Sequence, residues 1–133
     1  MPTVRETVAT LLNNHPRLVA LGLPQNAVFQ ADTTDSIMIR PFLVIRWLPE
    51  IAGMGESTRR PFTIWSYDDV GDYSRSERIG REACSILKEL APIAVEAGWL
   101  TQISGGRRGQ DMRDTGYEAN VIPYECVAIA TGV

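Results

Sequence analysis

Histidine and cysteine are scarce in this chain, and their scarcity removes several kinds of site. Its 133 residues include one histidine, His15, and two cysteines, Cys84 and Cys126. A structural zinc site takes four nitrogen or sulfur ligands, and neither cysteine belongs to a Cys-x-x-Cys pair. A cysteine or serine nucleophile needs a nearby base, and His15 lies at an unrelated end of the chain. We therefore expect no metal centre of this type and no nucleophilic catalysis.

We expect structural roles for these three residues. We interpret His15 as a helix-end residue, because the Asn13–Pro16 segment ends the first predicted helix. Cys84 falls in a predicted helix and Cys126 in a predicted strand. Free cysteines are most often small buried apolar residues, and that is our interpretation here, with a disulfide between them left open.

An excess of basic charge and long apolar segments are also missing. The formal net charge is −3 at pH 7. A general nucleic-acid binder carries a basic face that displaces counterions from phosphate, so this class is disfavoured. Apolar runs such as Phe42–Ile45 are far too short to cross a membrane, and the N-terminus has no apolar signal-peptide segment. We expect a protein made in a cytoplasm, without a membrane partner.

The residues that are present predict one packed domain over residues 1–133. Apolar residues make up 44% and charged residues 22%, which favours a core over wholesale disorder. A capping-box match at Thr3–Glu6 opens a short helix, and a second match at Ser74–Glu77 opens a long amphipathic one after Asp72 or Ser74. The predicted strands are Pro41–Leu48, Pro61–Tyr67, Gly98–Ile103 and Gly116–Ala130.

The order of these elements predicts the fold class. The strands do not alternate with helices, so we expect an α+β fold with a mainly antiparallel sheet and both helices packed on it. Pro123, inside the last strand, cannot donate to a ladder and predicts an edge or a bulge. Ile79, Ala83, Ile86 and Leu87 share one face of the long helix and are expected to meet the core.

Three acids, Asp68, Asp69 and Asp72, stand between the second strand and the long helix. Carboxylates this close could hold Mg²⁺ or Ca²⁺ and serve a small metal-dependent enzyme. A calcium loop, however, needs acids at regular odd offsets and a distal glutamate, and this spacing stops at Asp72. Acids before a helix also accept from its free amides and complement its dipole. We therefore interpret the three as exposed acids that cap the long helix.

Two segments rich in glycine and arginine are predicted as projecting loops. One, Ile51–Arg60, contains Arg59 and Arg60; the other, Ser104–Asp111, contains Arg107 and Arg108, with Arg113 just beyond it. The second segment lacks the Lys-Ser/Thr and the helix of a phosphate-binding loop, so we predict a mobile hairpin arm. Guanidinium groups on such arms suit contacts with acidic partners.

Three tryptophans strengthen the expectation of a binding partner. Trp47, Trp65 and Trp99 fall in three different predicted strands. This is more aromatic surface than one small core easily hides. Such a domain is expected to cover strand edges and loops with copies of itself or with other proteins.

The chain resembles the tail terminator (tail completion) proteins of long-tailed, siphovirus-type bacteriophages. The resemblance spans nearly the whole chain: an N-terminal helix, the strand "PFLVIRW", a strand ending in "TIWSYDD", the helix "YSRSERIGREACSILKEL" and the closing strand "GYEANVIPYECVAIATG". The passage from an aromatic strand through an acidic turn into an amphipathic helix is the most telling part. No catalytic signature takes part in the resemblance.

This resemblance implies a structural role in the virion. Family members have an α+β fold and form a hexameric ring on the last ring of the tail tube, which ends tube polymerisation. The ring presents a surface to head-completion or connector proteins, and viral DNA passes through its lumen without specific recognition. The resemblance implies no catalysis and no cofactor. The arginines at the candidate interface would be Arg59, Arg60, Arg107, Arg108 and Arg113.

Two other functions stay open at this stage. A different neck component, a head-completion or connector ring protein, has similar size and assembly. A small metal-dependent enzyme using Asp68, Asp69 and Asp72 comes from another class. Thermal stabilisation by Mg²⁺ or Ca²⁺ would favour the enzyme over the ring.

Overall fold

The computed structural model describes residues 1–30, 39–52, 55 and 57–132, and the predicted irregular segment after Gln30 falls mostly outside them. Within that part, the predicted helices and strands occur in the predicted order, and a second short helix and several short strands lie between them. The helices are α1 (Val4–Leu12), α2 (Pro16–Val19) and α3 (Ser74–Lys88). The strands are β1 (Val28–Phe29), β2 (Phe42–Trp47), β3 (Ile51–Ala52), β4 (Ser57–Asp69), β5 (Ile93–Val95), β6 (Gly98–Arg108), β7 (Met112–Asp114) and β8 (Ala119–Thr131).

One sheet contains all of these strands. Its order is β1-β2-β4-β8-β6-β5, with β3 beside β4 and β7 beside β8. The β1–β2 pair is parallel and the other described pairs are antiparallel. The long helix α3 crosses β4, β8 and β6, and α1 packs beside α3. The fold is α+β, which confirms the predicted class, and no helix in the described part is long and apolar enough to cross a membrane.

The N-terminal helix begins as its sequence predicts. Thr3 Oγ1 accepts from the Glu6 amide at 3.2 Å, and the Glu6 carboxylate accepts from the Thr3 amide at 3.5 Å, so the capping box is formed. Val8 and Leu12 are fully buried on its inner face. His15 is the N-cap of α2, and its Nδ1 accepts from the Arg17 amide at 3.2 Å. It therefore lies at a helix end, but at the start of α2 rather than at the end of α1, whose C-cap is Asn13.

The long helix is placed correctly, but its predicted capping box does not form. Ile79, Ala83, Ile86 and Leu87 are buried as expected. The N-cap is Tyr73, which makes no side-chain cap, and Ser74 is already helical. Asp72 Oδ1 accepts from the Ser74 amide at 2.9 Å instead. Asp72, the residue before the N-cap, therefore fixes the turn into the helix in place of the predicted capping box at Ser74.

Both predicted loops include strand residues, which were not expected: 57–60 lie in β4 and 104–108 in β6, while positions 53, 54 and 56 of the first loop lie outside the described residues. Strand β4 begins at Ser57, so Arg59 and Arg60 are paired with β8 rather than lying in a hairpin loop. Strand β6 continues to Arg108, and the predicted mobile arm does not exist as such. Gly105 and Gly106 have φ of 98° and 93° and accompany a register shift against β8, so these glycines make a β-bulge.

The prediction for Pro123 was also wrong, because β8 is a central strand and not an edge. The register with β4 runs through Pro123 without a shift. The Pro123 carbonyl faces the other side and accepts from the Gly109 amide at 2.8 Å, where β6 pairing has ended and β7 pairing has not begun. A backbone N–H at this position would point into the same gap, so its absence in proline removes no hydrogen bond between paired strands. Pro61 in β4 repeats the arrangement: its carbonyl accepts from Leu48 just beyond β2.

Candidate assembly interface

The two faces of the sheet differ in what covers them. Ser66 Oγ donates to the Ser76 carbonyl of α3 at 2.8 Å, and Tyr124 Oη donates to the Glu77 carbonyl of α3 at 3.1 Å. Successive strand residues point to opposite faces, so the neighbours of Ser66 and Tyr124 along β4 and β8 point away from the helices. We call this side the helix-free face and define its middle by Arg46, Arg59, Thr63, Trp65, Arg107, Glu125 and Val127.

A row of polar side chains crosses the middle of the helix-free face. Arg46 on β2 lies opposite Thr63 on β4, Thr63 opposite Glu125 on β8, and Glu125 opposite Arg107 on β6. Adjacent strands are about 4.8 Å apart, so the row is about 14 Å long. It contains two guanidinium groups and one carboxylate. This row is therefore positive, although the chain as a whole has a net charge of −3.

Arg46 is held in place by its neighbours on this face. Its guanidinium carbon lies 4.8 Å from the centroid of the Trp65 ring, a cation–π distance. Its Nη2 donates to Tyr67 Oη at 3.2 Å, and Tyr67 Oη donates to Asp114 at 3.0 Å. Burial raises the pKa of Tyr67 to about 12, so its hydroxyl stays protonated at neutral pH. Arg46, Tyr67 and Asp114 thus form a fixed polar network.

Arg59 and Arg107 are exposed and not held in this way. Arg59 lies opposite Ile129, and Arg107 lies opposite Glu125. Within the part of the chain that the structure describes, neither guanidinium makes a hydrogen bond or an ion pair. Exposed arginine side chains match the composition of protein interfaces, where arginine is enriched.

The other three predicted interface arginines point to the opposite side. Arg60 lies opposite Ala128, and its Nη2 is 3.7 Å from Glu50. Arg108 lies opposite Tyr124, forms an ion pair with Asp111 and has its Nε 3.2 Å from Glu77. The hydrogen bond to Asp111 raises the pKa of Arg108.

Arg113 is exposed on β7 and lies opposite Asn120, again on the helix side. The five residues therefore do not form one patch. Consecutive strand residues alternate between faces, so the pairs Arg59–Arg60 and Arg107–Arg108 are each split across the sheet.

Apolar side chains complete the helix-free face. Trp99 and Ile51 are each 53% exposed and lie in neighbouring rows, opposite Thr131 and Arg59 respectively. Val127, between Pro61 and Ser104, is half-buried. The three tryptophans do lie in three strands, as predicted, and Trp65 and Trp99 both face this side. Exposed apolar and arginine side chains thus lie on the same face of the sheet, a combination that is common at protein interfaces.

The acidic turn is not the exposed cluster that the sequence suggested. Asp68 is 4% exposed, and its two carboxylate oxygens accept from Arg75 Nε and Nη2, each at 2.7 Å. The hydrogen bond to Asp68 raises the pKa of Arg75. Asp69 is exposed, and the Ser74 hydroxyl and amide lower the pKa of Asp72.

These contacts give the acids structural tasks. Asp68 ties the end of β4 to the first turn of α3 through a bidentate pair with Arg75. Among the described residues, no group of three or more His, Cys, Asp or Glu side chains is placed to hold a metal ion. Asp68, Asp69 and Asp72 are close together in the sequence, but their side chains have different surroundings.

Sequence reasoning missed the Asp68–Arg75 pair and the Arg46–Tyr67–Asp114 network. The first has a local signal, because an acid at the end of a strand and a basic residue in the first turn of the next helix are brought together by a short turn. The second has none, because Arg46 and Asp114 lie in β2 and β7, and only the pairing of strands through β4 and β8 brings them together.

Comparison with known proteins adds one observation. No family model matches the chain, and no curated protein matches it either. Among solved structures, one chain has a TM-score of 0.74 with this one, at 17% sequence identity. It belongs to the virion of a native gene transfer agent (GTA) particle. The two chains share one fold.

The match extends over the whole fold rather than a common fragment. It covers 98% of this chain and 96% of the GTA virion chain. The sheet, α1 and α3 are therefore all included, together with the helix-free face. At this level of identity the likeness concerns the backbone arrangement alone.

Proposed function

We propose that this chain is a structural protein of a phage-type virion. The observation that carries the proposal is the end-to-end likeness in fold to a chain of the GTA virion. The resemblance in sequence layout to tail terminator proteins supports the same role. In the finer form of the proposal, residues 1–133 act as one tail-terminator domain. Six copies form a ring that caps the tail tube, ends its polymerisation and joins the tail to the head.

A ring repeats one heterologous contact, in which two different surfaces of the chain meet. The helix-free face, with Arg59, Arg107 and the apolar side chains between them, is one of these surfaces. Two exposed carboxylates, those of Asp69 and Glu118, lie where β4 ends and β8 begins. Asp69 is opposite Ala119, and Glu118 directly precedes Ala119 in the chain. We assign this acidic end to the contact with the helix-free face of the next copy. Arg60, Arg108 and Arg113 then serve other contacts or the fold itself.

The remaining partners follow from the position of such a ring. One rim contacts the major tail tube protein, and the other contacts a head-completion or connector protein. Viral DNA passes through the lumen without specific recognition, and the net charge of −3 reduces attraction between the ring and phosphate. Assembly takes place in the cytoplasm of the host bacterium. The role requires neither catalysis nor a cofactor.

The direct test is removal of the gene from the phage or particle that encodes this chain. We expect tails of uncontrolled, mostly excessive length that carry no heads, and restoration of normal particles when the chain is supplied in trans. Electron microscopy of negatively stained lysates measures both length and attachment. Tails of normal length without heads would assign the chain to the head-completion or connector ring instead. Normal infectious particles would overturn the virion role.

A second measurement addresses the metal-dependent enzyme. Asp68 already has both oxygens engaged by Arg75 at 2.7 Å, which leaves little capacity for a cation. We expect the melting temperature to be unchanged by millimolar Mg²⁺ or Ca²⁺. A strong rise that is lost on substitution of Asp69 and Asp72 would contradict the structural role and support the enzyme.

A further inference from the structure

The two cysteines of the chain meet in the folded structure. Cys84 lies in α3 and Cys126 in β8, 42 positions apart, and their Sγ atoms are 3.8 Å from each other. Both are buried, at 4% and 3% exposure, and both are free thiols. Among the described residues they are the only cysteines, so each has the other as its single thiol neighbour.

A glycine bulge brings a third strand close to the pair. Gly105 on β6 lies opposite Cys126, and the register shift follows at Gly106. A side chain at Gly106 would place its Cβ 3.2 Å from Cys84 Cβ and 3.1 Å from Lys88 Nζ. Because Gly106 has no side chain, β6 passes close to α3 directly beside the thiols. The pair therefore lies at the junction of α3, β6 and β8, with Gly106 and the Lys88 side chain beside it.

We propose that Cys84 and Cys126 are an oxidisable pair that forms a disulfide between α3 and β8 in the presence of a peroxide. A disulfide needs an Sγ–Sγ distance of about 2.05 Å, so the two sulfurs must approach by roughly 1.8 Å. Small side-chain rotations on both residues supply a movement of this size. A peroxide is small enough to reach a nearly buried thiol, unlike a bulky disulfide reagent. The inference depends only on the packing of α3 on β8 and is independent of the proposed function.

The surroundings give the two thiols different tasks. The hydrogen bond between the sulfurs lowers the pKa of Cys84, and the ammonium of Lys88 acts in the same direction. That hydrogen bond, followed by burial, raises the pKa of Cys126. Either sulfur can be the donor in this contact, but only Cys84 has Lys88 one helical turn along α3, and the ammonium favours a thiolate there. We therefore assign Cys84 as the sulfur that attacks the peroxide.

The reaction balances in two steps. In the first, the Cys84 thiolate attacks one oxygen of hydrogen peroxide, the O–O bond breaks, and Cys84 becomes a sulfenic acid with release of hydroxide. In the second, the Cys126 sulfur attacks the Cys84 sulfur, the S–O bond breaks, and water leaves with the proton of the Cys126 thiol. The two thiols lose two electrons in total, and the peroxide takes them up.

The test is oxidation of the folded full-length chain with a small excess of hydrogen peroxide. We expect the intact mass to fall by two hydrogen atoms, the count of reactive thiols in denaturant to fall from two to zero, and a reductant to reverse both changes. Peptide mapping should join the segments around Cys84 and Cys126. The oxidised protein should melt about 5–15 °C higher than the reduced protein, because the bond closes a long loop of the unfolded chain.

Three variants separate this pair from general thiol oxidation. Cys126→Ala should stop at the sulfenic acid, which a dimedone adduct detects, whereas Cys84→Ala should react slowly and give no intramolecular bond. Lys88→Met leaves both thiols in place and should slow the first step only. Two thiols that persist while the protein stays folded, a sulfinic acid on Cys84 without a bond, or a bond only between chains would each overturn the inference. Circular dichroism on each variant confirms that the fold is kept.

Discussion

The two faces of the sheet contain similar residue types, but the side chains differ in their partners and in their exposure to solvent. On the helix-covered face, Tyr124 and Ser66 donate to carbonyls of α3, and Arg108 is engaged by acids. On the helix-free face, Arg59 and Arg107 are unpaired among the described residues, and Trp99 is half exposed. The covered face holds the fold together, and the exposed part of the helix-free face around Arg59, Arg107 and Trp99 is the surface that we propose for contact with another molecule.

The covered face should be the more sensitive to substitution, and Leu87→Ala is the largest expected effect. Leu87 is fully buried between α3 and the sheet. Removal of its side chain leaves a cavity that should lower the free energy of unfolding by about 2–5 kcal/mol. Urea denaturation followed by tryptophan fluorescence measures this. Leu48→Ala, at a 53% exposed position, is the matched control and should change little. A negligible loss at Leu87 would show that this face of the helix does not meet the core.

Gly80→Ala tests how closely α3 approaches the sheet. In an exposed helix this change stabilises, because alanine has the higher helix propensity. Here a Cβ on Gly80 would lie 2.1 Å from the Tyr124 ring. We therefore expect a loss of about 1–3 kcal/mol from overpacking.

The double variant Gly80→Ala, Tyr124→Leu provides the control for that contact. Adding Gly80→Ala to Tyr124→Leu should cost less stability than adding it to the wild type, because the shorter side chain makes room for the new methyl group. A stabilised Gly80→Ala variant would mean that the helix lies farther from β8 than the structure has it.

Asp68→Asn tests the tie between β4 and α3. The substitution keeps the shape of the side chain and removes the charge that Arg75 binds at two points. We expect a loss of about 1–3 kcal/mol, since a buried charge-assisted hydrogen bond is replaced by a weaker one. Asp69→Asn, one residue along and exposed, should have no measurable effect on unfolding. Equal effects at both positions would contradict the structural task given to Asp68.

Tyr67 offers a pH-dependent test of the polar network on the helix-free face. Its pKa is raised from 10.0 to about 12 in the folded protein. The folded state therefore holds this proton more tightly than the unfolded state, so its contribution is complete below pH 10 and is lost as the pH rises toward 12. The free energy of unfolding of the wild type should fall more steeply over that range than that of Tyr67→Phe. Parallel curves would show that the hydroxyl is not buried in the network.

The features that the sequence predicted correctly depend on interactions between residues that are close together in the chain. The capping box at Thr3 and the buried face of α3 depend on neighbours three or four positions away, and both were found from sequence. The extension of β4 through Arg59 and of β6 through Arg107 depends on β8, which lies far along the chain, so glycine and arginine suggested loops instead. The same long-range pairing decides the face of each arginine. It also explains Pro123, whose missing donor falls in a gap between β6 and β7 that no sequence rule indicates.

The smallest effect on stability, and the sharpest test of the two faces, comes from Arg107 and Arg108. Arg107→Ala removes a side chain that is exposed and has no ion pair among the described residues, so it should change the free energy of unfolding by less than about 0.5 kcal/mol. Arg108→Ala removes the ion pair with Asp111 and should cost about 0.5–1 kcal/mol, as for other partly exposed pairs.

Assembly should show the reverse order. Ring formation, measured by sedimentation or by capping of tail tubes in vitro, should be weakened by Arg107→Ala and unaffected by Arg108→Ala. Arg107→Glu should abolish it, and a compensating Asp69→Arg in the same chain should restore part of it, because the two charges meet across each contact in the proposed ring. If Arg108→Ala weakens assembly as much as Arg107→Ala does, the helix-free face is not the binding surface. If Arg107→Glu leaves assembly intact, the proposed contact through the Arg107 guanidinium is wrong, although the proposal of a ring is not contradicted.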